Sequence, residues 1–319
     1  MKRVLIVGGA DFIGGRLAAR LSQSASLRPA LADKAFNASA AASGVERLSW
    51  DLADVEALFK LLDKVDVIVN CVAGDANTMR RAAQALFAAA ARAGLPVLQL
   101  STLAAYGSAE GVINEASPLL GDVDDYAAAR AEIDRMAEAY GATRLRPGII
   151  YGPGSIRWTT QVGNLLLAKR LGDLGAAGDG CCNLILIDDL VEIMVQVLET
   201  PGIASGAVNL CNSERVTWNE FFIRYAKALG AVPVRRITGR GLRIETKLLA
   251  PPIKIVEMLL GAQRAQQWRL PALLSPSLLR VCSQEIHLDN SKAEGLFGRQ
   301  WTPLDIGLRR AADWYLKTR

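Results

Sequence analysis

Short apolar runs alternate with alanine-rich, helix-like stretches along the first half of the chain. Continuous runs such as 4–7 and 67–69 are typical of strands buried on both faces. The stretch 79–93 is typical of a helix, and Gly94 and Pro96 are its stop signals. The predicted strands are 4–7, 30–32, 47–50, 65–70, 97–100 and 143–146, and the predicted helices are 12–22, 55–62, 79–93 and 126–140. This alternation predicts an α/β fold, a doubly wound parallel sheet with helices on both faces.

After Gly154 the rhythm changes, and glycine and proline become frequent. The stretches 156–180 and 217–283 are predicted largely helical, whereas 184–187 and 207–210 keep the pattern of strands. We therefore expect a first domain over 1–154, its sheet completed by the strands near 184–187 and 207–210. A smaller, mostly helical unit over 155–319 is interleaved with it. Within that unit, 244–262 favours ordinary helix packing over an amphipathic helix on a membrane surface.

Composition narrows the class of protein. Of the 319 residues, 51% are hydrophobic and 22% charged, and the mean hydropathy of +0.19 excludes a disordered chain. The net charge is +5, but the basic residues are scattered, so nucleic-acid binding is not expected. No run approaches the ~20 apolar residues of a membrane span.

The cysteines and the histidine limit the chemistry. There are five cysteines without a C-x-x-C pair, and His287 is the single histidine. Zinc binding and Cys–His or Ser–His catalysis are therefore excluded, and no metal site is expected. Buried, reduced thiols are expected instead, which fits a cytoplasmic protein.

A glycine-rich turn joins the first predicted strand to the first predicted helix. In such a turn, backbone N–H groups approach a pyrophosphate at the positive end of the helix. Asp33 lies about 20 residues further on, where a carboxylate accepts hydrogen bonds from a ribose, which favours NAD. The adjacent Lys34 can attract a 2′-phosphate, so NADP stays possible. The candidate dinucleotide-binding residues are Gly8, Asp11, Phe12, Ile13, Gly14, Asp33 and Lys34.

Further motifs follow this turn in a fixed order. They are D-L at 51–52, N-C-V-A at 70–73, S-T-L-A-A-Y-G at 101–107, Y-A-A-A-R at 126–130, R-P-G-I-I-Y-G-P-G at 146–154 and I-D-D-L at 187–190. Together with the turn they resemble the extended short-chain dehydrogenases, the NAD-dependent epimerase/dehydratase family. The resemblance implies a Rossmann sheet whose substrate is read by the C-terminal unit. It adds further cofactor contacts, namely Asp51, Leu52, Cys71, Val72, Ala73, Pro147 and Ile150.

The resemblance also implies a catalytic group. Tyr126 is the expected acid/base, Thr102 the hydroxyl that holds the substrate oxygen, and Arg130 the cation one helical turn after the tyrosine. A phenol is a poor base at neutral pH, and a nearby cation eases its ionisation. The implied activity is that of an NAD(P)-dependent oxidoreductase, epimerase or dehydratase acting on a hydroxyl or carbonyl of a small molecule. The register of Tyr126 with Thr102 favours this role over that of an amphipathic residue at a helix start.

The sequence departs from the family pattern at several positions. Asp11 replaces a glycine of the turn, and its carboxylate either repels a pyrophosphate or turns away to cap the helix. Arg130 replaces a lysine, and an arginine supplies charge but relays no proton. Ile149 and Leu186 stand where many nucleotide-sugar enzymes of the family carry Asn and His. They favour a less polar, sterol- or ketone-like substrate slightly over a sugar nucleotide.

Two function classes therefore stay open. One is the active enzyme, and the other is a catalytically silent relative that senses a dinucleotide or acts as a scaffold, suggested by Asp11 and Arg130. The family often forms homodimers through the helices corresponding to 79–93 and 126–140. Small residues there allow such packing and are equally compatible with packing onto the sheet: Ala88, Ala91, Ala128 and Ala131.

Overall fold

The computed structural model describes residues 1–36, 44–51, 54–237, 276–298 and 300–319. The strands are β1 (Lys2–Val7), β2 (Leu27–Asp33), β3 (Glu46–Ser49), β4 (Val67–Asn70), β5 (Val97–Leu100), β6 (Gly111–Ile113), β7 (Thr143–Pro147), β8 (Ile149–Tyr151), β9 (Leu184–Leu186), β10 (Ala207–Leu210) and β11 (Ile286–Leu288). The α-helices are α1 (Phe12–Leu21), α2 (Val55–Leu61), α3 (Ala76–Ala93), α4 (Asp125–Tyr140), α5 (Val162–Leu167), α6 (Ile187–Glu199), α7 (Trp218–Ala228), α8 (Pro276–Ser283), α9 (Ser291–Phe297) and α10 (Leu304–Thr318). Short 3-10 helices lie at Leu103–Tyr106 and Gly175–Gly178, and a π-helix at Ile156–Gln161.

The chain divides into two compact units, and neither is continuous in sequence. The first comprises Met1–Ile149, Ile185–Cys211 and Leu288–Trp301. The second comprises Ile150–Leu184, Asn212–His287 and Thr302–Arg319.

The first unit is built on a seven-stranded sheet with the order β10-β7-β5-β4-β1-β2-β3. All neighbouring strands in it are parallel. In the inner strand β1, residues 4–7 are fully buried, as a strand covered by helices on both faces requires. The sheet confirms the predicted doubly wound fold.

Local signals explain where the two long helices of this unit begin and end. The Asp75 side chain accepts a hydrogen bond from the Thr78 N–H, which starts α3 three residues earlier than its predicted first residue, and Gly94 ends it in the left-handed conformation. Asp124 caps α4 in the same way, and Gly141 ends it. The two helices pack together, and Arg80 of α3 pairs with Glu132 of α4 at 2.5 Å.

Aromatic side chains form the centre of the second unit. Trp218, Phe221 and Tyr225 of α7 are fully buried, and the rings of Phe221 and Tyr225 stack with their centroids 6.0 Å apart. Trp218 also contacts Trp158 of the π-helix, with the ring centroids 5.2 Å apart. The helix α7 packs against α5 and α10.

Three sequence predictions need correction. The second strand begins at Leu27 and not at residue 30, because it pairs with β1 from Leu27 onward. Pro29 is tolerated within it because β3 pairs with β2 only from Ala30 onward. The stretch 156–180 is helical only in part, since residues 168–174 connect α5 to a 3-10 helix. The strand β9 is not part of the described seven-stranded sheet, whereas β10 is. The apolar residues of β9 indicate that it is buried. Because β9 has only three residues and α6 follows directly, the sequence does not indicate which strand it pairs with. The stretch 244–262 lies outside the described residues.

Candidate functional site

The glycine-rich turn lies against the end of a neighbouring strand. Gly8 has φ +78°, and a Cβ atom there would lie 2.7 Å from the backbone carbon of Cys71 and the nitrogen of Val72. A Cβ atom at Gly14, in the first turn of α1, would lie 2.6 Å from the Gly8 oxygen. Only glycine permits this close approach of α1 to the turn. Phe12 and Ile13, also in the first turn, are half-buried.

Asp33 at the end of β2 holds the turn from the other side. Its Oδ2 accepts a hydrogen bond from the Ala10 N–H at 3.0 Å, and its Oδ1 accepts one from the Lys34 N–H at 2.7 Å. The Lys34 side chain is exposed, as is Asp51 after β3. The remaining candidate of this group, Leu52, lies outside the described residues.

Asp11 occupies the N-cap position of α1. Its backbone is extended, but its side chain makes no capping hydrogen bond to the helix. Of the two alternatives for Asp11, the helix cap is therefore not the one found. Partial loss of water around the carboxylate, and then the nearby Asp33, raise the pKa of Asp11.

A buried hydrogen-bonded pair shapes the turn that Gly8 contacts. The Asn70 Nδ2 donates to the Gln99 Oε1 at 2.8 Å, and the Asn70 Oδ1 accepts from the Val72 N–H at 3.1 Å. Cys71 and Val72 are buried, and Ala73 is exposed. Burial raises the pKa of the Cys71 thiol to about 12. Gln99 was missed in the sequence, although a glutamine within the apolar strand 97–100 was a signal for it.

The segment after β5 carries the candidate hydroxyl. Thr102 is half-buried and caps the 3-10 helix Leu103–Tyr106, because its Oγ1 accepts from the Ala104 N–H at 3.3 Å. Ser101 is buried, and its Oγ has no hydrogen-bond partner among the described residues. A buried polar atom of this kind requires water or a ligand to satisfy it.

The helix α4 brings together the candidate acid/base and the candidate cation. Tyr126 is 40% exposed, whereas Arg130, one turn later, is 8% exposed. The guanidinium carbon lies 5.1 Å from the centre of the Tyr126 ring. One Nη of Arg130 donates to the Leu100 oxygen at 3.5 Å, and its Nε has no hydrogen-bond partner among the described residues. Arg130 therefore contacts Tyr126 on one side and the end of β5, two residues before Thr102, on the other.

A buried ion pair fixes α4 against the sheet. Asp134 is fully buried and receives two hydrogen bonds from Arg146 of β7, at 2.7 and 3.0 Å. Arg146 also donates to the Tyr106 hydroxyl at 2.9 Å, and that hydroxyl donates to the Asn209 Oδ1 at 2.7 Å. The next residue, Pro147, is buried. The network connects α4, β7, β10 and the 3-10 helix Leu103–Tyr106.

The first unit thus provides features that fit a bound dinucleotide. They are a glycine turn in which no side chain caps the first N–H groups of α1, a carboxylate at the end of β2, and two buried polar atoms beside β5 that have no hydrogen-bond partner among the described residues. The last cofactor candidate, Ile150, is the first residue of the second unit and is half-buried. Among the described residues, no group of three or more His, Cys, Asp or Glu is arranged to hold a metal ion. None of the described helices is long and apolar enough to cross a membrane.

Comparisons with solved structures find proteins that share this fold. A dTDP-glucose 4,6-dehydratase from Bacillus anthracis in complex with NAD is 18% identical, with 99% of this chain and 97% of that chain covered and a TM-score of 0.74. A UDP-glucose 4-epimerase from Thermotoga maritima with UDP-glucose is 16% identical, with 99% of both chains covered and a TM-score of 0.75. A dTDP-glucose 4,6-dehydratase from Streptomyces venezuelae with NAD bound is 23% identical, with 99% and 98% covered and a TM-score of 0.73. At these identities the likeness concerns the fold.

Sequence comparison identifies the family. No curated protein sequence matches the chain. The model of the NAD dependent epimerase/dehydratase family matches residues 4–211, which carry the glycine turn and the candidate catalytic residues. The chain therefore belongs to the NAD-dependent epimerase/dehydratase family, a family of enzymes, as its motifs predicted.

Proposed function

We propose that this protein is an NAD-dependent oxidoreductase, epimerase or dehydratase that acts on a hydroxyl or carbonyl group of a small molecule. The observation that carries the proposal is the position of Arg130, which contacts both the Tyr126 ring and the end of β5 beside Thr102. Three side chains of the expected chemical types thus share one end of the sheet. Family membership supports the same reaction class.

The cofactor contacts follow from the turn and the strand ends. The pyrophosphate is expected at the first N–H groups of α1, next to Gly8 and Gly14, and a ribose at the Asp33 carboxylate. Ser101 Oγ and Arg130 Nε, both buried without described partners, are the donors expected to meet the second ribose or an ordered water. The chemistry that NAD supplies when bound is hydride transfer.

The side chains of this chain supply proton transfer and positioning. The Tyr126 hydroxyl donates or accepts the proton of the substrate oxygen, and its partial exposure gives a substrate access to it. Thr102 Oγ1 accepts from the Ala104 N–H, which leaves its O–H free to donate to the same substrate oxygen. Arg130 supplies a positive charge beside the Tyr126 ring and relays no proton.

Fewer residues give an argument about the substrate class than about the reaction class. The structural neighbours named above include enzymes of dTDP-glucose and UDP-glucose. Leu186 is 1% exposed, so its replacement of a histidine reflects packing and gives no argument about the substrate. Ile149 is half-buried and remains the argument for a less polar substrate. Sugar nucleotides and apolar ketones are therefore the two panels to test.

Replacing Tyr126 by phenylalanine tests the proposal. The matched control is Tyr140→Phe, which removes a hydroxyl from the other end of α4, where it donates to the Leu95 oxygen. We expect Tyr126→Phe to lower kcat by roughly 10²–10⁴-fold on any substrate found, with the Kd for NADH changed less than twofold. Tyr140→Phe should leave kcat unchanged. Equal turnover in the two variants would contradict the role of Tyr126.

A catalytically silent relative is the second candidate. It is favoured by the Asp11 carboxylate at the turn, which caps no N–H group of α1, and by Arg130, which stands where the family pattern has a lysine. A silent relative would bind NAD(H) without cofactor-dependent turnover on either panel. Any turnover that Tyr126→Phe removes excludes it.

A homodimer and a reducing compartment complete the proposal. Ala88 and Ala91 on α3 are exposed and available for a second copy, whereas Ala131 of α4 is buried within the chain. We expect a dimer in sedimentation, and Ala88→Glu should shift it towards a monomer. None of the five cysteines forms a disulfide in the described residues, which is compatible with the cytoplasm.

A further inference from the structure

A pair of buried amides ends the ladder between β4 and β5. Asn70 and Gln99 are the last residues of the two strands that pair with each other, and they are 3% and 1% exposed. The Asn70 Nδ2 donates to the Gln99 Oε1 at 2.8 Å. Both side chains are therefore held in place at the end of the sheet that carries the candidate catalytic residues.

Beyond this pair, side chains replace the regular backbone hydrogen bonds. The Ile68 N–H donates to the Pro96 oxygen at 3.0 Å, and parallel pairing repeats such a bond at every second residue. Four residues further along both strands, the Val72 N–H would therefore donate to the Leu100 oxygen. It donates instead to the Asn70 Oδ1 at 3.1 Å. The Leu100 oxygen consequently accepts from side chains.

Two side chains share the Leu100 oxygen. The Gln99 Nε2 donates to it at 2.8 Å, and one Nη of Arg130 donates to it at 3.5 Å. The second distance exceeds the roughly 2.7–3.2 Å of an ordinary N–H···O bond, so Gln99 is the stronger donor and Arg130 makes only a long contact. The Nε of Arg130, which has no hydrogen-bond partner among the described residues, is left to donate to a bound molecule.

We propose that Gln99 is a positioning residue for NAD: by occupying the Leu100 oxygen, its amide keeps the Arg130 guanidinium available to the second ribose, the one next to nicotinamide. This inference rests on the proposed function, in which Arg130 Nε is expected to meet that ribose or an ordered water. The guanidinium carbon then stays 5.1 Å from the centre of the Tyr126 ring. Without the amide, the buried Leu100 oxygen would draw the guanidinium towards β5, because a buried acceptor is costly to leave unsatisfied.

A double-mutant cycle with Arg130→Met tests the inference. Gln99→Met keeps the length of the side chain and removes both of its polar groups. We expect it to raise the Kd for NADH, followed by nicotinamide fluorescence, about tenfold in the wild type, as for the loss of one hydrogen bond. In the Arg130→Met background the rise should be less than about threefold, because Gln99 then has no guanidinium to position. A side chain that only stabilised the sheet would give the same factor in both backgrounds.

ADP and a matched control variant locate the effect. ADP carries the pyrophosphate but lacks the second ribose, so Gln99→Met should change the Kd for ADP less than about threefold. An equal loss of affinity for ADP and NADH would overturn the inference, because Gln99 would then act through the turn after β4 that Gly8 contacts. The control is Gln196→Met on α6, where the Nε2 donates to the Phe297 oxygen at 3.4 Å. It should leave both affinities unchanged.

Several results would overturn the role of Gln99 and leave the proposed function standing. They are an unchanged NADH affinity in Gln99→Met, or a rise of about threefold or more in the Arg130→Met background. Gln99→Leu takes the place of Gln99→Met if the latter does not fold. If neither variant folded in a thermal scan, Gln99 would be required by the sheet itself, which also overturns the inference.

Two other results would reach the proposed function. If Arg130→Met alone left the NADH affinity unchanged, both this inference and the expected contact of Arg130 with the second ribose would fail. If the wild type did not bind NADH, the proposed function would fail as a whole.

Discussion

Replacing Gly8 by alanine separates backbone strain from steric overlap in the glycine turn. The new Cβ would lie 2.7–2.8 Å from three backbone atoms of Cys71 and Val72, which cannot move independently of β4. Gly94→Ala is the matched control, since Gly94 also has a positive φ, of +65°, but nothing within 4 Å of its Cβ position. Both residues belong to the first unit.

In the control Gly94→Ala, the free energy of unfolding should fall by about 1–2 kcal/mol, because alanine is strained in the left-handed conformation. In Gly8→Ala it should fall by a further ~1–3 kcal/mol, because the new Cβ overlaps the backbone of Cys71 and Val72. The midpoint of thermal unfolding, which shifts by roughly 2–4 °C per kcal/mol in a unit of this size, measures the difference. Gly8→Ala should also weaken NADH binding at least tenfold, whereas Gly94→Ala should not. Equal midpoints and equal NADH affinities in the two variants would refute the steric argument.

Further predictions concern a buried carboxylate, a buried cation and the thiols. Asp134→Asn leaves Arg146 without its buried counter-charge, so we expect the free energy of unfolding, measured with denaturant, to fall by about 3–5 kcal/mol. The control Asp125→Asn, at an exposed position, should lower it by about 0.5 kcal/mol or less. Arg130→Met removes a buried cation that has no ion pair with any described residue, so it should raise the unfolding midpoint without NAD while weakening NADH binding; a lower midpoint would contradict this. Iodoacetamide at pH 8 should modify the half-buried Cys181 before the four buried thiols, as peptide mass mapping would show; labelling of a buried thiol at the same rate would contradict it.

Features that depend on neighbours in sequence were predicted well. The strands β5 and β10 have the predicted bounds, and α4 starts one residue before its predicted first residue. Caps, positive-φ glycines and apolar runs act over a few residues, so the chain itself displays them. The order of motifs was sufficient to predict the family, because each motif follows a particular strand or helix.

Features that depend on distant partners were not predictable in the same way. The sequence left open whether Asp11 caps α1, because that depends on how Asp33 and the end of β4 surround the turn. It did not show that Gln99 pairs with Asn70, or that β9 stays outside the central sheet. It also did not show that the side chain of Leu186 is buried, which removes this residue from the argument about the substrate.

The sequence by itself determined the type of fold, the family and the residue types of the candidate site. Helix caps, glycine positions and strand apolarity are local properties, and they are read directly from consecutive residues. Only the tertiary structure decided which charges face one another at Asp11 and that Arg130 lies between Tyr126 and the end of β5. Contacts of this kind join residues far apart in the chain, and their geometry is set by the packing of whole helices onto the sheet.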